Sequence, residues 1–336
     1  RNLTLKFQKE FKIRVAQEMT LGASVLCWLL IPLSVVHGGI GTVVDSFIEH
    51  QKFDHKDDTT YSRPNIVLIM ADDMAWGDVG ANWPETLETP NLDKMARQGL
   101  RMTDFHSGVS VCTPSRATLL TGRLGLRTGV VKNFDPYSVG GIPTNETTIP
   151  EILREAGYRT AMFGKWHLGT TAGHHPIDKG FTSYLGVPYS LDMGCADIPG
   201  ANLPQCRPCQ HGVNCQYQKI ALPLYANRTV RHQPVDMTSL AAKYAAFARN
   251  FILESRHSPF FLYAALSHIH VPLAHAAMYT NVTGRGVFAD TLYEMDWLVG
   301  EILEATRAAG DNTLVWFMSE SHNTYYRKQH TGLVHE

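Results

Sequence analysis

The chain has almost no charge excess: 30 Lys and Arg stand against 31 Asp and Glu, a net of −1 over 336 residues. A protein that tracks a phosphate backbone needs a basic face, so no nucleic-acid partner is expected. Cysteine is scarce at six residues, too few for a disulfide scaffold, although the number suits a protein that folds in an oxidising compartment. Internal repeats and low-complexity tracts are absent, which leaves out solenoids and disordered linkers. The apolar run at residues 21–36 is broken by Pro32 and falls short of the roughly twenty residues a spanning helix needs. No stable membrane span is expected. What is present is a 44% hydrophobic composition, enough for a sizeable core in one large domain.

The apolar run follows Met19 and ends in small residues at Gly38 and Gly39. That is the shape of a secretory signal peptide starting at Met19, with a membrane anchor as its rival. Residues 1–39 are therefore set aside as an upstream segment plus signal, and residues 40–63 as a polar, flexible lead-in. Sequons of the form Asn-x-Thr occur at Asn2, Asn145, Asn227 and Asn281. The last three agree with passage through the secretory pathway. Cys195, Cys206, Cys209 and Cys215 crowd one loop. With no second pair at zinc-finger distance, two local disulfides are the better reading.

Residues 65–70 form a short, continuous apolar run, as expected of a strand buried on both faces of a parallel sheet. Further strands are expected at 101–106, 158–163, 258–266 and 312–317. Helices are expected from Pro90 to a stop at Gly99, over 115–121, from Thr148 to Gly157, and over 239–252 and 291–308. The alternation predicts an α/β fold with a mainly parallel central sheet flanked by helices.

Several chemically loaded segments fall at the ends of these strands, where open α/β sheets place their sites. Asp72 and Asp73 follow the first strand: either solvated turn residues or a pair of hard oxygen ligands for Ca²⁺ or Mg²⁺. In Cys112-Thr113-Pro114-Ser115-Arg116, Cys112 should sit just before a helix N-terminus, and a helix starting there would bring Arg116 back toward Cys112. The plain alternative is a buried free thiol. Gly164-Lys165-Trp166-His167-Leu168-Gly169 projects Lys165 and His167 to one side if extended. Ser267-His268-Ile269-His270-Val271-Pro272 offers two histidines with no third ligand placed to complete a zinc site.

Together these motifs, in this order, resemble the type I sulfatases of the alkaline-phosphatase-like superfamily, over about residues 64–317. The resemblance implies that Cys112 is oxidised by a formylglycine-generating enzyme to an aldehyde. Its hydrate attacks sulfur with one hydroxyl and expels sulfate with the other. Asp72 and Asp73, with the oxygen at position 112, would bind Ca²⁺ (Mg²⁺ possible). Arg116, Lys165, His167 and His270 would organise and protonate the ester, and Ser190, in Val187-Pro188-Tyr189-Ser190, would help position substrate. The nearest branch of the family implies a lysosomal glycoprotein acting on aryl sulfates and on 3-O-sulfated glucosamine of heparan sulfate.

The pattern breaks after Phe317. Where the family has Asp and Asn as further metal ligands, this chain has Glu320 and Ser321. Glu320 could reach a metal only with backbone adjustment. The tail at 318–336 matches nothing in the family, and the smaller C-terminal sheet domain is missing. The expectation is a sulfatase by ancestry with impaired activity. The rivals are a non-catalytic splice or reading-frame product and, at greater distance, a related phosphodiesterase.

Overall fold

The computed structural model describes residues 63–195, 221–310 and 312–320. The presumed signal, the lead-in, Asn2, Cys206, Cys209, Cys215 and Ser321 lie outside those residues. Seven strands form one sheet: β1 (Asn65–Ala71), β2 (Arg159–Lys165), β3 (Ser183–Val187), β4 (Leu224–Ala226), β5 (Thr229–His232), β6 (Phe260–Ala265) and β7 (Thr313–Ser319). Their order is β5-β4-β3-β2-β6-β1-β7. The five strands from β3 to β7 in that order pair in parallel. β4 and β5 add an antiparallel ribbon at one edge. The sheet is mainly parallel, as the alternation predicts.

Helices cover both faces: α1 (Pro90–Gln98), α2 (Cys112–Thr121), α3 (Ile149–Glu155), α4 (Leu240–Glu254) and α5 (Val287–Ala309). Side chains alternate across a strand, so β1 divides its residues between two cores. Val67, Ile69 and Ala71 join Tyr244, Ala248, Leu298 and Ile302 of α4 and α5. Leu68 and Met70 join Ala117 and Leu120 of α2, with Trp166 and Phe181. Burial on both faces is why β1 reads as an unbroken apolar run. Among the described residues no helix is long and apolar enough to cross a membrane.

Three readings are corrected. Residues 101–106 form no strand and are exposed; strand-like composition counts for little without a ladder partner. Cys112 is the first residue of α2, not the residue before it. The strand expected to end at 317 continues to Ser319. The ribbon and β3 were not anticipated. In β3, Gly186 passes so close to β2 that an added Cβ would sit 1.9 Å from the Gly164 carbonyl oxygen, and a glycine there weakens the strand pattern. Asn145, Asn227 and Asn281 are all exposed. Cys195 is in a disulfide.

Candidate active site

The parallel strands end at one edge of the sheet, and the loops leaving them stay laddered for another residue or two. Asp72 N–H donates to the His268 carbonyl at 2.8 Å, and Ile269 N–H to the Asp72 carbonyl at 2.9 Å. Glu320 N–H donates to the Ala71 carbonyl at 3.1 Å, and His167 N–H to the Pro188 carbonyl at 3.0 Å. These bonds tie the ends of β1, β2, β3, β6 and β7 into one rim. Asp72, Asp73, Lys165, His167, Ser190, His270 and Glu320 therefore converge there, and α2 delivers Cys112 and Arg116 to the same place. Asp73 and His167 take left-handed backbone angles, φ 59° and 60°, a costly conformation that redirects the chain at the site.

At the centre lies a fully buried charge cluster. Lys165 Nζ donates to Asp72 Oδ2 at 2.7 Å and stands 3.9 Å from Glu320 Oε1. Arg116 Nε touches Glu320 Oε2, its second terminal nitrogen is 3.5 Å from Asp72 Oδ2, and its first donates to the Lys165 carbonyl at 2.6 Å. All four side chains have zero exposure. Burial would raise the Asp72 pKa, but Lys165 and the neighbouring cations hold it well below the carboxylate range. Burial would lower the Lys165 pKa; Asp72 outweighs it, and Lys165 is a permanent cation. Glu320 is pushed up to about 8 by burial and by the Asp72 carboxylate, against the pull of Arg116. Arg116 lies beneath the site, its charge facing Asp72 and Glu320 and one terminal nitrogen bonded to the Lys165 carbonyl.

The Cys112 thiol lies above this cluster and donates to Asp72 Oδ1 at 3.8 Å. Burial raises its pKa strongly, so the free thiol is a neutral, unreactive group. His167 is fully buried and its pKa is well lowered by burial and by Lys165. Its Nε2 bonds the Phe134 carbonyl at 2.8 Å, and its Nδ1 is buried without a partner. His270 Nδ1 bonds the Val271 carbonyl at 2.6 Å. That directs its Nε2 to Ser190 Oγ and Asp73 Oδ2, each 3.5 Å away.

The donor set fits a hard divalent cation. One ligand atom from each of Asp72, Asp73, Cys112 and Glu320 lies within 4.8 Å of the others. The buried Glu320 carboxylate has ion-pair contacts to Arg116 and Lys165 but no well-formed hydrogen bond, and a cation would use its remaining lone pairs. Glu320 does reach the site, through the extra two residues of β7. These contacts do not single out Ca²⁺ over Mg²⁺.

Supporting residues had no signal in the sequence. Asn133 Oδ1 accepts from Thr113 N–H at 2.9 Å, serving the start of α2 from a loop twenty residues on. Ser115 Oγ donates to the Glu320 carbonyl at 2.6 Å, joining the cysteine helix to β7. Glu294 of α5 faces His268 Nε2 at 3.2 Å and accepts from Ala276 N–H at 2.9 Å, bracing the loop that carries His270. A small cleft lined by Phe134, Asp135, Ser138, His167 and Tyr189 opens beside His167.

Comparison with known proteins agrees with this geometry. The sulfatase family model matches residues 64–330, through β7 and beyond. Arylsulfatase G of Rattus norvegicus is 47% identical over 305 residues, covering 88% of this chain and 57% of the relative. Arylsulfatase A of Bos taurus is 42% identical over 281 residues, covering 81% and 54%. A solved structure, Ps i-CgsB in complex with k-i-k-neocarrahexaose, superposes with TM-score 0.66 at 31% identity, covering 79% of this chain and 61% of that one. The chain spans about half the length of the relatives it matches. With the family motifs in order, the parallel sheet beneath them and the model matched over most of its length, the chain belongs to the sulfatase family.

Proposed function

We propose that this chain carries the catalytic half of a sulfuric-ester hydrolase whose nucleophile is formylglycine made from Cys112. The observation that carries this reading is the convergence of Asp72, Asp73, Cys112, Lys165, Ser190 and His270 on one rim of the sheet. The formylglycine hydrate would supply a hydroxyl to attack sulfur and a second to expel sulfate. Asp72, Asp73, Glu320 and the oxygen at 112 would hold Ca²⁺, a Lewis acid for the sulfate oxygens.

The protein's own groups divide the rest of the work. Lys165 brings a fixed positive charge to the sulfate. Neutral His167, with an unpartnered Nδ1, accepts a hydrogen bond from the hydroxyl at 112. His270 Nε2 and Ser190 Oγ face the outer side of the site, where His270 gives a proton to the departing alcohol oxygen. Arg116 balances Asp72 and Glu320 from below.

The substrate class we infer is a sulfated glycan, with 3-O-sulfated glucosamine of heparan sulfate as the specific expectation. A relative is named N-acetylgalactosamine-6-sulfatase, and a structural neighbour holds a carrageenan oligosaccharide. Lysosomal residence after secretion, with glycans on exposed Asn145, Asn227 and Asn281, completes the reading.

Turnover is expected to be impaired. Glu320 leans on Arg116, so the carboxylate that should serve the cation is shared with a buried guanidinium. Removing one electrostatic stabiliser costs roughly a hundredfold to a thousandfold. The test is arylsulfate turnover by the purified formylglycine-containing chain, with and without calcium, beside a chimera carrying a relative's sequence from position 318 onward. A slow native chain and a fast chimera support the proposal. Equal rates refute the impairment, and no turnover by either refutes the sulfatase reading.

A further inference from the structure

The rim around Cys112 offers more than one set of ligand atoms. Besides the carboxylate cluster, a second donor group is present. A ligand atom from each of Asp72, Cys112 and His270 lies within 4.8 Å of the others, and all three residues are buried. Thiolate, imidazole and carboxylate form a borderline-soft set, with three protein ligands and room for a fourth.

The histidine is prepared for such a role. Its Nδ1 is committed to the Val271 carbonyl at 2.6 Å, which leaves Nε2 as the ring nitrogen turned to the rim, 3.5 Å from both Asp73 Oδ2 and Ser190 Oγ. Metal-binding histidines are oriented by this kind of outer bond. A zinc ion would draw the three donors together to Zn–S near 2.3 Å and Zn–N near 2.0–2.1 Å.

We infer that the unconverted chain, with a thiol at 112, binds one Zn²⁺ through Cys112 Sγ, His270 Nε2 and Asp72, whereas the aldehyde form, with only oxygen at 112, takes a hard cation. Binding transfers the thiol proton to solvent and leaves the cysteine sulfur ligated. An unconverted chain would thus be closed by zinc at its own nucleophile position. The inference rests on the donor geometry, not on sulfatase turnover.

The experiment uses the full chain produced without the converting enzyme and titrated with Co²⁺, whose thiolate charge-transfer absorption reports sulfur ligation. The expected result is one equivalent of cobalt with a strong charge-transfer band that Zn²⁺ abolishes and Ca²⁺ does not. Cys112→Ser should lose the band, and His270→Ala should weaken Zn²⁺ affinity at least tenfold. Circular dichroism establishes that each variant is folded, and a failure of Cys112→Ser to fold leaves the His270→Ala affinity to decide. No band in the native chain, a band retained by Cys112→Ser, or unchanged affinity in His270→Ala would overturn the inference. The converted chain tests the proposed function separately, since it has no thiol at 112.

Discussion

Cys112 is buried at 6% exposure, and Thr113, Pro114, Ser115 and Arg116 are buried with it in the first turns of α2. An enzyme acting on this thiol could not reach it in the folded chain, so the proposed conversion would belong to the extended state. Chain secreted with the converting enzyme present should give an aldehyde-bearing tryptic peptide spanning residues 102–116 by mass spectrometry. Folded thiol chain offered to the same enzyme should remain unconverted, and efficient conversion after folding would disprove the burial argument. Beneath the cysteine, Lys165 balances Asp72 and Glu320 with no exposed atom. Lys165→Met keeps the volume and removes the charge. Breaking a buried pair from one side costs about 3–5 kcal/mol, so the denaturation midpoint in urea should fall accordingly, with m unchanged. The residues that converge on the rim were legible because each sits in a short contiguous motif beside a strand. Asn133 and Glu294 were not, because a side chain that supports a distant loop leaves no spacing to read.

At the scale of elements, β1 and β6 were legible because both faces are buried, whereas residues 101–106 had strand-like composition and no partner. Gly164 shows how an element aims Lys165 at the rim. It has φ 99°, and an added Cβ would lie 1.7 Å from the Ala265 carbonyl oxygen. Only glycine lets β2 lie against β6 there and present Lys165 in the next position. Gly164→Ala combines left-handed strain with a backbone clash and should cost at least about 2–3 kcal/mol, read as a lowered melting temperature. Gly186→Ala, on the next strand over, meets the Gly164 carbonyl without left-handed strain and should lower the melting temperature less. On the opposite flank, His175 Nδ1 accepts from Ile177 N–H at 3.3 Å, and its ring packs edge-on against Tyr184. Burial, with Arg228 nearby, lowers its pKa to about 4. The fold therefore holds His175 neutral while the unfolded chain protonates near 6.5. Stability from this residue is present above pH 6.5 and is lost as pH falls toward 4. His175→Asn keeps a capping acceptor and should flatten the decline in melting temperature between pH 6.5 and 4; an unchanged slope would assign that decline to other groups.

For the molecule as a whole, the active rim was foreseeable from strand order, but the quality of the sheet's edges was not. One edge ends in the short β4–β5 ribbon, whose outer strand is exposed along its length. At the other, β7 pairs only with β1 among the described residues. It is apolar along its length, with Leu314 41% exposed and Trp316 half-buried. Phe105, itself exposed, packs on Trp316 with ring centroids 5.5 Å apart. An exposed apolar edge strand is a template for pairing with another chain, and a net charge of −1 offers little repulsion to prevent it. The relatives are about twice as long, so they have more chain with which to cover such an edge. The 336-residue chain by itself should therefore associate as its concentration rises, most strongly near its pI of about 7.0, as read by sedimentation or light scattering. Leu314→Lys places a charge on the exposed edge, the device natural sheets use against such pairing. It should reduce association while changing folding stability by no more than about 0.5 kcal/mol. If Leu314→Lys leaves association unchanged while a charge placed at exposed Leu126 or Val139 abolishes it, self-pairing runs through the loop surface and not through β7.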